Sequence, residues 1–248
     1  MKPTALVVLI IFSLICLSDS LDDVFAKFKG RYDSKSEADA IIAASDAVKE
    51  MDEAIEEIEK NDSLLMEYVL AKDYCLMKCK ENNLRKSEYS ALMKKIAVTY
   101  GNSKSPFLDY ALAILYGRIA ESSNIIDAVK SNVANNVKKH AENVIKENPS
   151  IDGFGAYLIL GRLHAMTPKV IYFTGWKSLN ESEKMLKIYI EKNPQSITGK
   201  LYLAETYGMM KMYGEMDSLI NEIAKSKPEK TRFYEDKAII DSLEELSQ

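Results

Sequence analysis

Apolar residues recur at spacings of three and four along most of the chain, with charged residues between them. Residues 36–60 (SEADAIIAASDAVKEMDEAIEEIEK) place an apolar stripe on one side of a helix and acidic residues on the other. No segment of any length alternates apolar and polar residues in the way that a half-buried strand does. The pattern therefore predicts an all-α protein.

Breaks in this pattern set the limits of the later helices. We expect those helices to cover residues 63–80, 86–100, 107–121, 129–147, 154–166, 179–192, 197–211, 214–226 and 230–246. Asn148 precedes Pro149 and ends one of them, because the residue before a proline avoids the helical region. The 248 residues include only 10 Gly and 6 Pro, fewer turn-forming residues than long β-rich folds use. The composition thus agrees with paired helices joined by short loops.

The second half of the chain repeats itself. The segments YALAILYGRIA and FGAYLILGRLHA resemble each other, and the glycines within them, Gly117 and Gly161, are 44 residues apart. Successive units close with NVIKENP, IYIEKNP and EIAKSKP, which end at Pro149, Pro194 and Pro228. Pro194 and Pro228 are 34 residues apart. Self-similarity at such a period is typical of stacked helical repeats.

Residues 197–228 resemble a tetratricopeptide repeat. The matching residues are Leu203, Ala204, Tyr207, Tyr213, Met216, Ile220, Ile223 and Pro228. The resemblance implies tetratricopeptide-like stacked helical hairpins (an α-solenoid), with residues 230–246 as a C-terminal capping helix. In that family, small residues at the eighth and twentieth positions let paired helices approach closely. Met216 occupies the twentieth position, where the family usually has Ala, so close packing at that point is in question.

A narrower resemblance concerns residues 152–194. The run DGFGAYLILGRLHAMTP…GW…SEKMLKIYIEKNP resembles the T component of tripartite ATP-independent periplasmic (TRAP) transporters. That resemblance implies an exported helical-repeat protein that partners a periplasmic substrate-binding protein. It also implies that the protein holds a small or hydrophobic organic ligand.

The first 20 residues have the pattern of a secretory signal peptide. Lys2 gives a positive start, the uncharged run ALVVLIIFSLICL follows, and Ser18 and Ser20 place small residues before a cut. The apolar run is shorter than the roughly 20 residues that a membrane-spanning helix needs. Ile15 before Cys16 argues against lipid attachment. We therefore expect residues 21–248 to form a single exported domain in the periplasm or cell envelope.

Two cysteines remain after such a cut, Cys75 and Cys79, one helical turn apart. They can be two small apolar residues or a strained disulfide. Zinc binding lacks partners, because His140 and His164 are distant in sequence. The choice between the first two stays open.

The repeat register implied by the resemblance yields a candidate binding surface. In such hairpins the first helices line the concave face, and Arg118 and Arg162 fall at equivalent ninth positions in neighbouring repeats. The expected ligand- and partner-binding residues are Lys72, Arg118, Leu158, Arg162, Met166, Glu205 and Met209, with Trp176 in an inserted loop. Guanidinium groups clamp carboxylates, and Met makes adaptable apolar contacts. Such a groove suits an organic acid or an acidic amphipathic segment.

Structural alternatives exist for each of these side chains. Arg162 can pair with Glu205, and Arg118 with Glu121, as ordinary ion pairs. Trp176 can pack over the end of its hairpin as a plug. His164 is expected to pack in the core and His140 to be exposed.

No catalytic motif is present: the chain has no Gly-rich phosphate loop, no HExxH and no GxSxG. A net charge of -4 gives no reason to expect nucleic-acid binding. We therefore expect no enzyme activity, cofactor or metal. The expected function is that of an accessory component of a periplasmic solute transport system, for an organic acid or a hydrophobic ligand, that docks a substrate-binding protein. The alternative is a general envelope interaction scaffold, and a homo-oligomer is a further candidate assembly.

Overall fold

The computed structural model describes residues 21–79, 82–100, 104–168 and 174–246. The predicted signal peptide, including Cys16, lies outside these residues. Every regular element in the described ranges is a helix, and none of their residues forms a strand. The all-α prediction is confirmed.

Helix α1 covers residues 21–29 and leads into a 3-10 turn at Gly30–Asp33. The remaining helices are α2 (Glu37–Glu53), α3 (Ile55–Ile58), α4 (Asp62–Cys79), α5 (Asn82–Tyr100), α6 (Pro106–Glu121), α7 (Ile125–Lys130), α8 (Val133–Glu147), α9 (Gly155–Met166), α10 (Leu179–Lys192), α11 (Ile197–Met210), α12 (Tyr213–Ala224) and α13 (Phe233–Leu246). The chain divides into two compact units, one within Met1–Lys80 and the other within Glu81–Gln248.

The N-terminal unit is built around α2 and α4, which pack against each other. The Ser36 hydroxyl oxygen accepts a hydrogen bond from the Asp39 backbone N–H and so caps the start of α2. The buried face of α2 consists of Ala40, Ala44, Ala47, Val48 and Met51, so small side chains dominate it. Small side chains allow the backbones of two packed helices to come close together.

Arg31 connects the turn after α1 to α4. Its guanidinium carbon lies 3.9 Å from the ring centre of Phe28, 4.2 Å from that of Tyr32 and 4.5 Å from that of Tyr74 on α4. The guanidinium also donates to the Phe28 carbonyl at 2.8 Å and to the Tyr32 hydroxyl at 3.0 Å. A planar cation fits among three rings in a way that an ammonium group cannot reproduce.

The C-terminal unit consists of stacked helical hairpins. Helices α6 and α8, α9 and α10, and α11 and α12 form the pairs, while α8 packs on α9 and α10 packs on α11. The first helices of successive pairs also touch, α6 with α9 and α9 with α11. Helix α13 packs on α11 and α12 and buries Ile240 against Ile197 and Ile223. The predicted hairpin stack with a C-terminal capping helix is confirmed.

Close approach within the α9–α10 hairpin depends on Gly161. A methyl group at Gly161 would lie 2.5 Å from Cγ of the fully buried Leu186 on α10. The buried Ser182 hydroxyl donates to the Gly161 carbonyl at 2.8 Å and lies 3.0 Å from the Thr206 hydroxyl oxygen on α11. The small residues that the repeat pattern requires therefore hold three helices together.

Met216 fits between α11 and α12 because the residue that faces it on α11 is Gly208. A methyl group on Gly208 of α11 would lie 3.1 Å from the sulfur of Met216 on α12. The absence of a side chain on Gly208 of α11 thus leaves room for the larger Met216 side chain on α12. The close packing that the sequence left in question is preserved by this arrangement.

Several boundaries differ from the sequence-based expectation, among them the start of α5 at Asn82 instead of residue 86. Residues 21–29 are helical and bury Leu21, Val24, Phe25 and Phe28, although no helix was expected there. Helix α2 ends at Glu53 and the separate turn α3 follows. The helix expected over residues 129–147 begins only at Val133, because Asn132 has a positive φ of 53° and ends α7. Asn tolerates this left-handed conformation better than most residues do.

Gly161→Ala should destabilise the protein by about 1–3 kcal/mol, because the added methyl group overlaps Leu186. Gly117→Ala is the matched control, since a methyl group there meets no described atom within 4 Å. The control should be neutral or stabilising by up to about 1 kcal/mol, because Ala is the better helix former. Urea denaturation followed by circular dichroism measures both. Equal losses of stability in the two variants would contradict the packing described here.

Arg31→Lys should destabilise the N-terminal unit by about 1–2 kcal/mol, because Lys keeps the charge but loses the planar stacking and the forked donors. Lys29→Met is the control, since the Lys29 side chain is 65% exposed and forms an ion pair with Glu67, and such surface pairs add little stability. Thermal unfolding compares the two variants. A Lys29 effect as large as the Arg31 effect would argue that charge alone matters here.

Candidate functional site

Arg162 and Glu205 form an ion pair that joins α9 to α11. The Arg162 guanidinium also lies 4.2 Å above the ring centre of Tyr202 on α11. The two charged side chains are 31% and 39% exposed, so the pair borders on solvent. Arg162 of α9 and Glu205 of α11 are therefore adjacent, and the positive charge of Arg162 already has a carboxylate partner.

Arg118 forms an ion pair within its own helix. Its guanidinium nitrogen lies 2.8 Å from a carboxylate oxygen of Glu121, one turn further along α6. The two ion pairs that the sequence offered as structural alternatives are thus both present. Whether Arg118 or Arg162 also binds a ligand stays a prediction.

Met166 and Met209 lie on the same side as the Arg162–Glu205 pair. Each methionine follows its charged residue by four positions, and residues four apart share one face of a helix. Their exposures, 50% and 43%, are high for large apolar residues. We call the surface formed by Arg162, Met166, Tyr202, Glu205 and Met209 the α9–α11 face.

Leu158 lies one turn before Arg162 on the same side of α9. It is only partly buried, but it packs against the core formed by Leu186, Leu203 and Tyr207. Leu158 therefore supports the spacing of α9, α10 and α11. Its predicted contact with a ligand remains untested.

Trp176 lies in the loop between α9 and α10 and packs against α8 and α9. Its indole N–H donates to the Asn135 side-chain oxygen at 2.6 Å, and the Lys138 ammonium lies 5.8 Å from its ring centre. The ring also meets His164 edge to face, with centres 5.1 Å apart. This arrangement corresponds to the plug that the sequence offered as an alternative. The neighbouring Tyr172 and Phe173 lie outside the described residues.

His164 is buried, as the sequence predicted, with 7% of its surface exposed. Within the described part of the chain, its Nδ1 atom has no hydrogen-bond partner. Burial lowers the pKa of the imidazole below 6.5, and the positive charge of Lys138 lowers it further. The side chain is therefore held neutral.

His140 is less exposed than its charged surroundings in the sequence suggested. Its Nδ1 lies 2.6 Å from a carboxylate oxygen of Asp109, and its ring stacks on Tyr116. The side chains of His140 and Asp109 are 15% and 13% exposed. The sequence-based expectation of an exposed His140 is wrong because α8 pairs with α6, and His140 lies on the surface that the two helices share.

Lys72 belongs to the N-terminal unit, whereas the α9–α11 face belongs to the C-terminal unit. Its ammonium lies 2.6 Å from a carboxylate oxygen of Asp52, and the other oxygen accepts from the Tyr68 hydroxyl at 2.6 Å. This cation, like Arg162 and Arg118, is engaged with a carboxylate of its own unit.

A polar anchor that was not predicted from the sequence precedes α9. Asp152, Gly153 and Phe154 have positive φ angles of 46°, 59° and 68°, an uncommon run for residues other than Gly. The buried Tyr110 hydroxyl donates to Asp152 at 2.6 Å, and the Asn193 amide donates to the Gly153 carbonyl at 2.7 Å. Burial, reinforced by the Asp152 charge, raises the Tyr110 pKa well above 10.0. The Asp-Gly pair was a turn signal in the sequence, but its partners were not.

The described residues were compared with what a metal site and a membrane-spanning helix require. No group of three or more His, Cys, Asp or Glu residues among them could hold a metal ion. No helix in the described ranges has both the length and the apolar character that a bilayer crossing requires. Cys75 is half-buried in α4, whereas the side chain of Cys79 lies outside the described ones, so a disulfide is not tested.

No protein-family model matches the chain, and no curated protein matches it significantly.

The Arg162–Glu205 pair should couple α9 to α11 measurably. A double-mutant cycle with Arg162→Ala and Glu205→Ala should give a coupling energy of about 0.5–1 kcal/mol, because the pair is half-exposed and backed by Tyr202. The matched cycle with Arg118→Ala and Glu121→Ala should give about 0.3 kcal/mol, the usual value within a helix. Urea unfolding measures both cycles. A zero coupling for Arg162 and Glu205 would mean that the interhelical contact does not stabilise the stack.

Proposed function

We propose that this protein is an exported helical-repeat binding protein that serves as an accessory component of a periplasmic solute transport system and docks a substrate-binding protein. The observation that supports a binding role is the α9–α11 face. On it, two exposed methionines stand beside an ion pair on two packed helices. Exposed apolar side chains held on rigid elements are typical of partner-binding surfaces.

The charges on this surface favour an apolar contact over a free organic acid. A carboxylate ligand would have to displace Glu205 from Arg162, or Glu121 from Arg118. An apolar ligand or a protein surface needs no such exchange, and methionine side chains adapt to varied apolar shapes. Of the two ligand classes that the sequence suggested, we therefore favour the hydrophobic one.

The face lies on the described hairpin stack rather than on a long loop. The core of Leu186, Leu203 and Tyr207 fixes the spacing of the helices beneath it. A surface held in this way is ordered before binding, which lowers the entropic cost of association. This property suits docking to a folded partner such as a substrate-binding protein.

A general envelope scaffold is the second candidate. Methionine-rich surfaces bind several partners because the side chain repacks easily. Met166 and Met209 are compatible with that use as well. The two candidates differ in how many partners the same face captures.

Replacing Met166 and Met209 together by Ser should weaken partner binding at least about tenfold, because two central apolar contacts are lost. The tagged full-length protein is isolated from an envelope extract under native conditions, and the captured proteins are identified by mass spectrometry. One dominant solute-binding protein supports the transport role, while a broad set of envelope proteins supports the scaffold.

Ile126→Ser is the matched control, because Ile126 is 66% exposed and lies on α7. It should leave capture unchanged. If the methionine variant captures the same partners as the unmodified chain with equal strength, the α9–α11 face is not the binding surface.

A further inference from the structure

The Trp176 indole and the His164 imidazole form an aromatic contact in which the imidazole is buried. The two rings meet edge to face, with centres 5.1 Å apart, and His164 is 7% exposed. Its Nδ1 atom finds no acceptor within the described residues. An added proton at this nitrogen would therefore enter a buried position without a hydrogen-bond partner.

The charged groups around His164 do not offset such a proton. Helix α8 contributes Lys138 and Glu142, which pair with each other. Helix α10 contributes Glu181, whose carboxylate lies 3.6 Å from the Lys184 ammonium. Both carboxylates thus already have cationic partners, and the Lys138 ammonium lies 5.8 Å from the ring centre of Trp176. A protonated His164 would place a second cation beside the same indole.

A cation beside an aromatic ring can be attractive, so the two effects compete. The cost of burying an unpaired charge is larger than a cation–π attraction of this kind. The lowered pKa of His164 agrees in direction, because burial and Lys138 both disfavour the charged form. The neutral form is the one that fits the packed structure.

We propose that His164 and Trp176 form an acid-sensitive latch between α8 and α9, which opens when His164 is protonated. Above pH 6.5, the imidazole is neutral and the indole N–H keeps its bond to Asn135. As the pH falls through the lowered pKa of His164, the imidazolium repels Lys138, seeks solvent and displaces the indole. This latch is independent of the proposed binding function, which uses the α9–α11 face.

The chain carries one tryptophan and two histidines, so the latch can be observed directly. Lowering the pH of the purified full-length protein from about 7.5 to about 5 should shift the Trp176 emission to longer wavelength and increase its quenching by acrylamide. The midpoint should lie below pH 6.5. Helix content measured by circular dichroism should stay constant.

Three variants decide the assignment. His164→Gln should abolish the fluorescence transition, whereas His140→Gln, which removes the other histidine, should retain it. Lys138→Met should move the midpoint upward, because it removes the cation that opposes protonation. This last shift tests the latch even if the His164 variant does not fold.

The proposal is overturned if the unmodified protein shows no transition, if the transition survives His164→Gln, or if it disappears with His140→Gln. An unmoved midpoint in the Lys138 variant also overturns it. A fluorescence change that coincides with loss of helix content would indicate global unfolding and would equally rule out a local latch.

Discussion

The close approach of helices α9, α10 and α11 is the constraint on which the described surface depends. Gly161 leaves room for the Leu186 side chain, and the Ser182 hydroxyl bonds to the glycine carbonyl at the same point. A larger side chain there would push α10 away from α9. Helix α11 packs on α10 and touches α9, and Arg162 of α9 pairs with Glu205 of α11 where these helices meet. The apolar packing therefore determines which polar groups meet at the surface.

The part of the α9–α11 face that is available to a partner is apolar, because its charged side chains pair with each other. Arg162 has Glu205 and Tyr202 as partners, so its charge is largely satisfied within the protein. Met166 and Met209 have no such compensation and expose much of their surface. A surface with these properties gains free energy when apolar area is covered, and it gains little from a small anion. This balance is the physical reason for preferring a hydrophobic ligand or a protein partner.

Two polar contacts fix the ends of α9, and they respond differently to pH. At its start, the Tyr110 hydroxyl bonds to Asp152 and holds an unusual left-handed run of residues. Burial raises the Tyr110 pKa, so the tyrosine hydroxyl stays protonated at any ordinary pH. Near its end, His164 packs on Trp176, and burial lowers its pKa from a value close to neutrality. Of Tyr110 and His164, only the His164 side chain has a reference pKa near neutrality, so it is the one whose charge can change as the pH falls.

The sequence by itself predicted the all-α fold, the pairing of most helices and the need for small residues such as Gly161, because these follow from local periodicity and repeat spacing. Helices α1 and α7 were not predicted. The sequence also brought Arg162 and Glu205 to equivalent positions. It could not decide whether that arginine was free or paired, since the answer depends on how closely α9 and α11 approach. The contacts of Trp176 and the environment of His164 were likewise set only by the tertiary structure. They join residues of α8, α9 and a loop, and no periodicity along the chain encodes the distances between them.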